Sequence, residues 1–181
     1  MHTDHGEKPI NTRIGTDFPT DFTKVLFKDW GPLKAYIVSG KEVREGIDLD
    51  YTEGGNYGKY SYIPEQEIWL DDRQGADELL DTLYHELIEY PLIGAKKMSY
   101  DDAHEIASRK ELEARKTPEK IEDLIDKQAK YVINVLELRD KTSSIKNDLK
   151  RIKDSRRISN DREMDTESEE ENGEEGNSGK F

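Results

Sequence analysis

A repeat of apolar residues at alternating steps of three and four dominates the second half of this 181-residue chain. The repeat begins after Pro118, a residue that the first turn of a helix tolerates. Such spacing predicts one continuous helix over residues 118–157, about 60 Å long at about 1.5 Å per residue. A helix of this length exceeds the width of a small domain, so residues 139–158 are predicted to project as an arm. The repeat positions are Ile121, Leu124, Gln128, Tyr131, Val135, Leu138, Thr142, Ile145, Leu149 and Ile152.

The two halves of this predicted helix differ in composition. Up to Leu138 the helix carries further apolar residues such as Ile125 and Val132, so its first half is expected to pack on its own domain. The arm keeps a single apolar stripe, interrupted by Thr142. That stripe could join two copies of the chain as a coiled coil, which makes a homodimer through this helix a candidate interaction.

Charge and hydropathy restrict the folded region to the part of the chain before the arm. Charged residues make up 38% of the sequence and apolar residues 33%, and the apolar ones become rare after Leu138. One domain is therefore predicted over residues 17–138, with a flexible N-terminus over 1–16 and a disordered acidic tail over 159–181. From Asp161 onward nine acidic residues stand against two basic ones, so this tail carries seven of the 13 net negative charges. The basic end of the arm is interpreted as a solvated helix face, and nucleic-acid binding gains no support.

Some classes of protein are excluded by what the sequence lacks. The chain has no cysteine, which rules out disulfides, thiolate metal ligands and cysteine nucleophiles. No apolar run is long enough to span a membrane, and the N-terminus lacks the apolar segment of a signal peptide. We therefore expect a cytoplasmic protein with no membrane partner.

The segment before the long helix predicts a small α+β domain. Strands are expected over residues 33–38 and 67–70, with a turn and a short strand over 43–51 between them. The Gly54, Gly55 and Asn56 stretch is predicted to be a tight loop in which glycine permits positive φ. These strands favour a small antiparallel sheet, packed against a pair of helices and followed by the long C-terminal helix.

Proline, glycine and serine residues indicate where the two helices of this pair begin and end. The first helix is expected to run from about Gly75 to Tyr90, because Pro91 kinks or ends a helix, and Gly94 offers a stop after it. Ser99 is expected to cap the second helix. A short connection favours an antiparallel arrangement of two such helices, which brings their facing side chains together.

The first helix of the pair carries the candidate metal ligands. His85 and Glu89 lie one turn apart on one face, with Glu86 beside them. This is the arrangement of a zinc-binding H-E-x-x-H helix with a carboxylate in place of the second histidine. The antiparallel partner helix would supply His104 as a third ligand, and Glu111, on the same face, would orient His104 or be a ligand itself. Glu86 would then be the general base that takes a proton from water.

A plainer interpretation fits the same residues: histidines at the edge of the core and glutamates on a solvated helix face. H-E-x-x-E alone is a weak motif, because both glutamate and leucine are common in helices. Of the four histidines, however, His2 and His5 lie in the predicted flexible N-terminus, and the other two both belong to this group. The residues alone leave both interpretations open.

Beyond these residues, the chain resembles a family of small zinc metallopeptidase-like proteins known mainly from phages and from archaeal viruses or mobile elements. The resemblance covers residues 33–115 and depends on the order of four features: a Gly-Gly pair, IPEQEIW, HELIE and AHEIASRKE. The resemblance implies that the protein binds Zn²⁺. It also implies that five residues are functional: His85, Glu86, Glu89, His104 and Glu111. The family often has a histidine after the Gly-Gly pair, where this chain has Asn56, a residue that could still polarise a substrate carbonyl.

Three functions stay open at this point. The first is a zinc metallopeptidase whose peptide or protein substrate lies along a strand edge such as residues 67–70. The second is a non-catalytic interaction protein of a virus or mobile element, with a structural metal or polar cluster and a self-associating helix. The third is an iron enzyme, because two histidines and a carboxylate also form the facial triad of oxygenases. A viral origin would place the protein in the cytoplasm of the host cell.

Overall fold

The computed structural model describes residues 22–171, with side chains for residues 22–155 and 157. Strands and helices over this range confirm the predicted α+β class. The chain forms two compact units, and the boundary between them lies between Val135 and Leu136. A single 3₁₀ turn, Pro118–Lys120, precedes the last helix. In chain order the elements are β1 (Lys24–Asp29), β2 (Lys34–Val38), α1 (Gly40–Gly46), β3 (Gly54–Asn56), β4 (Glu67–Asp71), α2 (Ala76–Gly94), α3 (Tyr100–Ala114) and α4 (Ile121–Glu171).

The sheet has four strands in the order β1-β2-β4-β3 and is mixed, which corrects the antiparallel sheet that the sequence predicts. β1 pairs with β2, and β3 with β4, in antiparallel fashion, whereas β2 and β4 are parallel. The parallel pair arises because the chain leaves β2 through α1 and returns through β3 before it forms β4. Since β4 lies between β2 and β3, the predicted open edge at residues 67–70 is wrong; the edge strands are β1 and β3.

The short strand predicted over residues 43–51 is wrong, because α1 occupies the start of this segment and turns follow it over residues 47–50. The Ser39 hydroxyl accepts a hydrogen bond from the Glu42 amide, which caps the helix. Val43 is fully buried, and Ile47, one helical turn later, is half-buried. A spacing of four residues suits one face of a short helix as well as it suits a strand.

The glycine pair in β3 forms a strand and not the predicted loop. Of the described glycines only Gly31 has a positive φ, at 79°. A Cβ added to Gly54 would lie 2.7 Å from Cγ2 of Thr82 on α2, and one added to Gly55 would overlap the ring of Tyr60. Glycine is therefore required here by close packing against α2 and the following loop, not by backbone conformation.

Helix α2 continues through Pro91 and ends at Gly94, one turn beyond the predicted end at Tyr90. Proline has no amide hydrogen to donate to the carbonyl of Leu87, four residues earlier. The side chain of Gln128 from α4 donates to that carbonyl at 3.2 Å instead. This hydrogen bond replaces the one that proline removes, so the helix can continue.

The start of α4 belongs to the first compact unit and packs on it, as the extra apolar residues predict. Ile125, Ala129 and Val132 are fully buried. The indole nitrogen of Trp30, which follows β1, donates to Asp126 of α4 at 3.0 Å. These contacts join the first turns of the long helix to the sheet.

The second compact unit consists of the rest of α4 over the described residues. Its apolar stripe is exposed, with 64% of Leu138 and 60% of Ile145 accessible to solvent. The backbone is helical as far as Glu171, beyond the predicted end at residue 157. The predicted flexible N-terminus over 1–16 and the last ten residues of the predicted acidic tail lie outside the described residues. Within residues 22–171, none of the helices combines the length and apolarity needed to cross a membrane.

Candidate metal centre

Helices α2 and α3 bring His85, Glu89 and His104 together. Ser99 caps α3 by accepting from the Asp102 amide at 3.2 Å, and α3 then packs along α2. His85 Nε2 lies 3.0 Å from His104 Nδ1 and 3.7 Å from Glu89 Oε1. His104 Nδ1 lies 3.2 Å from the same carboxylate oxygen. The antiparallel pairing predicted from the short connection therefore brings the three candidate ligands together.

This triangle of ligand atoms fits a metal ion. Zinc bonds of about 2.0–2.1 Å in tetrahedral geometry place neighbouring ligand atoms about 3.3 Å apart. The three distances between the ligand atoms lie between 3.0 and 3.7 Å. Two imidazoles and one carboxylate are ligands of catalytic zinc sites and of non-haem iron sites. The group could therefore hold a metal ion.

Glu111 contacts the ligand set through His85 and not, as the sequence suggested, through His104. Its carboxylate lies 2.8 Å from His85 Nδ1. If Nδ1 of His85 carries the proton and donates it to Glu111, Nε2 is unprotonated. Its lone pair then faces the other two candidate ligands. Arg115 holds Glu111 in turn, at 3.0 Å from Nε and 2.8 Å from Nη2, and also pairs with Glu78. Glu111 thus fixes the orientation of the His85 ring and does not take the place of a ligand.

Asn56 is fully buried and connects the two central carboxylates. Its Nδ2 donates to Glu86 Oε2 at 2.8 Å and to Glu89 Oε2 at 3.2 Å. Its Oδ1 accepts from the Gly58 amide at 2.8 Å, which sets the orientation of the side-chain amide. Both amide hydrogens are therefore used inside the protein, so the expected role of Asn56 in polarising a substrate carbonyl is not available. Asn56 instead holds Glu86 and Glu89 in place.

The site concentrates negative charge away from water. Glu86 is 6% exposed and Glu89 1% exposed. Burial, and next the charge of Glu89, raise the pKa of Glu86 to about 7. Burial acts to lower the pKa of His85, but the hydrogen bond with Glu89 and the nearby Glu86 and Glu111 raise it. Buried carboxylates are costly unless they are paired or bound to a metal, so the site favours a cation.

Two of the three candidate metal ligands, His85 and His104, line a cleft of about 680 Å³. His104 is 48% exposed and lies on the cleft wall with His85, Glu86 and Glu111. Gly54 of the edge strand β3 also lines the cleft. A small molecule or a peptide segment could therefore reach the ligand set from this side.

Tyr100 and Lys59 also line the cleft, and sequence reasoning missed both. The Tyr100 ring stacks on His104 with centroids 5.4 Å apart, and its hydroxyl lies 3.5 Å from His104 Nδ1. The Lys59 ammonium lies 4.8 Å from the centre of the Tyr100 ring. Tyr100 precedes His104 by one helical turn, which is a spacing that the sequence displays. Lys59 comes from the loop after β3, and only the fold brings it to the site.

Comparisons with models of protein families, with curated proteins and with solved structures found no match to this chain. The resemblance to metallopeptidase-like proteins therefore stays a prediction, and the functional inference depends on the geometry of the site.

Proposed function

We propose that this protein is a zinc-dependent hydrolase that cleaves peptide bonds. The observation that supports it most directly is the triangle of His85, Glu89 and His104, whose two histidines line an open cleft, with Glu86 buried beside them. A structural zinc site needs only a closed set of ligands, whereas hydrolysis also needs access for substrate and a nearby base. The cleft would give the substrate access, and Glu86 would be the base.

Each residue of the cluster has a distinct role in this proposal. A bound zinc ion would supply Lewis acidity and lower the pKa of water to about 7. Glu86 would take the proton from the attacking water, a task for which a carboxylate with a pKa near 7 is suited. Asn56 holds Glu86 and Glu89 in place by donating to both, and Glu111 holds His85 with its Nε2 next to His104, where a zinc ion would be held.

Two further side chains are positioned to act on the substrate. The Tyr100 hydroxyl lies next to the ligand nitrogen of His104, and Lys59 lies over the Tyr100 ring. A hydroxyl and an ammonium beside the reacting carbonyl can stabilise the negative charge that develops on its oxygen. Tyr100 and Lys59 are therefore the candidate donors for that charge.

The same donor set keeps an iron enzyme as the second candidate. Two histidines and a carboxylate suit Fe²⁺ as well as Zn²⁺. The buried Glu86 favours hydrolysis, because a base next to the metal is what the activation of water requires. Iron as the native metal of the purified protein would reverse this order.

The test begins with a metal analysis of the untagged full-length protein. The zinc-loaded protein is then incubated with a mixed peptide pool, and cleavage is followed by mass spectrometry. We expect about one equivalent of zinc, and a loss of cleavage rate of about 100-fold or more in Glu86→Gln, since general bases contribute about 10²–10⁴-fold. Cleavage that is unchanged in Glu86→Gln would eliminate the general-base role.

Glu105→Gln is the matched control, because Glu105 neighbours His104 but is exposed on α3. It should retain activity. The non-catalytic alternative makes the opposite set of predictions. Under that alternative Glu86→Gln has no consequence for any activity, while His85→Ala lowers the melting temperature of the metal-loaded protein.

A further inference from the structure

Arg115, at the C-terminal end of α3, has no role in the proposed chemistry, yet it joins the two helices that carry the candidate metal ligands. Its guanidinium group pairs with three carboxylates. Two of them, Glu78 and Asp81, belong to α2, and the third, Glu111, belongs to α3. A single side chain therefore connects the start of α2 to the end of α3.

Every nitrogen of this guanidinium group contacts a carboxylate oxygen. Nη1 donates to Glu78 Oε2 at 3.2 Å and lies 2.9 Å from Asp81 Oδ2. Nη2 donates to Glu78 Oε1 at 2.6 Å and to Glu111 Oε1 at 2.8 Å, and Nε donates to that same Glu111 oxygen at 3.0 Å. Arginine presents its donors in a rigid plane, so these contacts fix the group in one orientation. A network of this kind holds its geometry better than an isolated surface ion pair does.

The two oxygens of Glu111 have different partners. Oε1 accepts both hydrogen bonds from Arg115. Oε2 lies 2.8 Å from His85 Nδ1. A rotation that moved Oε2 away from the histidine ring would also disturb the two hydrogen bonds to the guanidinium group. The contact with Arg115 therefore directs Oε2 at His85.

The contacts on α2 place this anchor on the helix face that carries His85. Glu78 and Asp81 precede His85 by seven and four residues, which puts all three side chains on one face of α2. Glu111 and Arg115 lie one turn apart on α3. Without the guanidinium group, Glu78 and Asp81 would repel the Glu111 carboxylate, since all three surround the same position. The cation thus both orients Glu111 and prevents its displacement.

We propose that Arg115 is a positioning residue of the metal site, which acts through Glu111 to hold the ring of His85 in place for metal binding. This inference rests on the zinc site of the proposed function and not on the cleavage of peptides. Residues that orient a metal ligand commonly change metal affinity by about 10–100-fold when they are replaced. Arg115 contacts the partner of the ligand and not the ligand itself, so its effect on zinc binding requires Glu111.

A purely structural role makes a different prediction. An arginine that only joined α2 to α3 would influence zinc binding through the packing of the helices. Its loss would then weaken zinc binding by the same factor whether Glu111 is present or absent. A double-mutant cycle on zinc affinity separates the two roles.

The experiment measures the zinc dissociation constant of four full-length proteins by competition with a chelator. These are the wild type, Arg115→Gln, Glu111→Ala and the double variant. Each single substitution is expected to weaken zinc binding by about tenfold. The double variant should match Glu111→Ala within about twofold, because Arg115 then has nothing to act through. Independent, structural effects would instead multiply to a loss of about 100-fold.

Two further variants guard against a folding defect. Arg115→Lys keeps a positive charge among the three carboxylates but cannot form the planar contacts with Glu78 and Glu111. It should weaken zinc binding in the presence of Glu111 and have no effect in the Glu111→Ala background. Arg73→Gln is the matched control, because Arg73 also lines the cleft and pairs with a buried carboxylate, that of Asp71. Its zinc affinity should stay within about twofold of the wild type.

Proton NMR of the zinc-loaded protein gives a readout that does not depend on affinity or cleavage. A ring N–H that donates to a carboxylate exchanges slowly with water and gives a separate downfield signal. We expect this signal for Nδ1–H of His85 in the wild type and in Arg73→Gln, and its loss in Glu111→Ala and Arg115→Gln. A signal that persists in Arg115→Gln would overturn the positioning role.

The outcomes for Arg115 and for the proposed hydrolase can be told apart. Multiplying losses, or a zinc affinity that Arg115→Gln leaves unchanged, would overturn the positioning role and leave intact a hydrolase that cleaves peptides. Coupled losses in a protein that binds zinc but cleaves nothing would support the role of Arg115 and overturn the hydrolase. A wild type that binds no zinc would overturn both.

Discussion

Replacing Glu86 by glutamine should make the metal-free protein more stable at neutral and alkaline pH. Burial and the charge of Glu89 raise the pKa of Glu86 from 4.5 to about 7 in the folded state. The folded protein therefore holds a proton that the unfolded chain releases above pH 4.5. The contribution of Glu86 to the free energy of unfolding therefore falls as the pH rises from 4.5 to 7. Above pH 7 the wild-type protein carries the full destabilisation.

The magnitude follows from the difference between the two pKa values. At about 1.4 kcal/mol per pKa unit, it amounts to roughly 3 kcal/mol above pH 7. Glutamine carries no charge and can still accept the hydrogen bond from Asn56, so Glu86→Gln removes the loss without removing the contact. The stability gain of the variant should grow from under about 0.5 kcal/mol at pH 4.5 to about 3 kcal/mol at pH 8.

Urea unfolding of the two metal-free proteins at several pH values measures this difference. Glu78→Gln, on the same helix, is the control with the opposite sign, because pairing with Arg115 lowers the pKa of Glu78. That variant should be slightly less stable than the wild type, and the deficit should be nearly complete at pH 4.5 and change little up to pH 8, because it develops as the pH rises from the lowered pKa of Glu78 to about 4.5. A gain for Glu86→Gln that is the same at pH 4.5 and pH 8 would refute the reasoning.

Three other predictions concern the metal, the packing and the arm. His104→Ala should weaken zinc binding by about tenfold or more in a competitive chelator titration, while the half-exposed position keeps the metal-free melting temperature within a few degrees. Gly54→Ala should cost about 2 kcal/mol or more in urea unfolding because of its clash with α2, whereas Gly75→Ala, where an added Cβ meets nothing within 4 Å, should cost less than about 1 kcal/mol. Truncation after Leu138 should convert a dimer into a monomer in sedimentation, and an unchanged state of association would eliminate the coiled-coil interaction.

Local signals predicted the elements that build the candidate metal centre. Ser99 caps α3 as its position indicates, and Gly94 ends α2. The spacing of His85 and Glu89 places them on one face of α2 because the helical period is a local property. The short connection between the two helices then brought in His104. These features depend on residues close together in the sequence, so periodicity and capping are sufficient to predict them.

Other features depend on contacts between distant segments. The parallel pairing of β2 with β4 arises from the path of the chain through α1 and β3, which no local pattern displays. Pro91 stays inside α2 because Gln128, far along the sequence, satisfies the carbonyl that proline leaves without a donor. The Gly54 and Gly55 pair was expected to turn the chain, but only the packing of α2 and Tyr60 against β3 explains why both residues lack a side chain.

The sequence by itself therefore determined the helix pair and brought together the three candidate metal ligands and the neighbouring Glu86, because helical spacing and the short connection set their relative positions. The tertiary structure decided the environment of those residues: that Glu111 holds His85, that Asn56 bridges two buried carboxylates, and that Tyr100 and Lys59 stand beside His104. Burial and hydrogen bonding are properties of segments that meet only in the fold, and they decide which polar residues are available to a substrate.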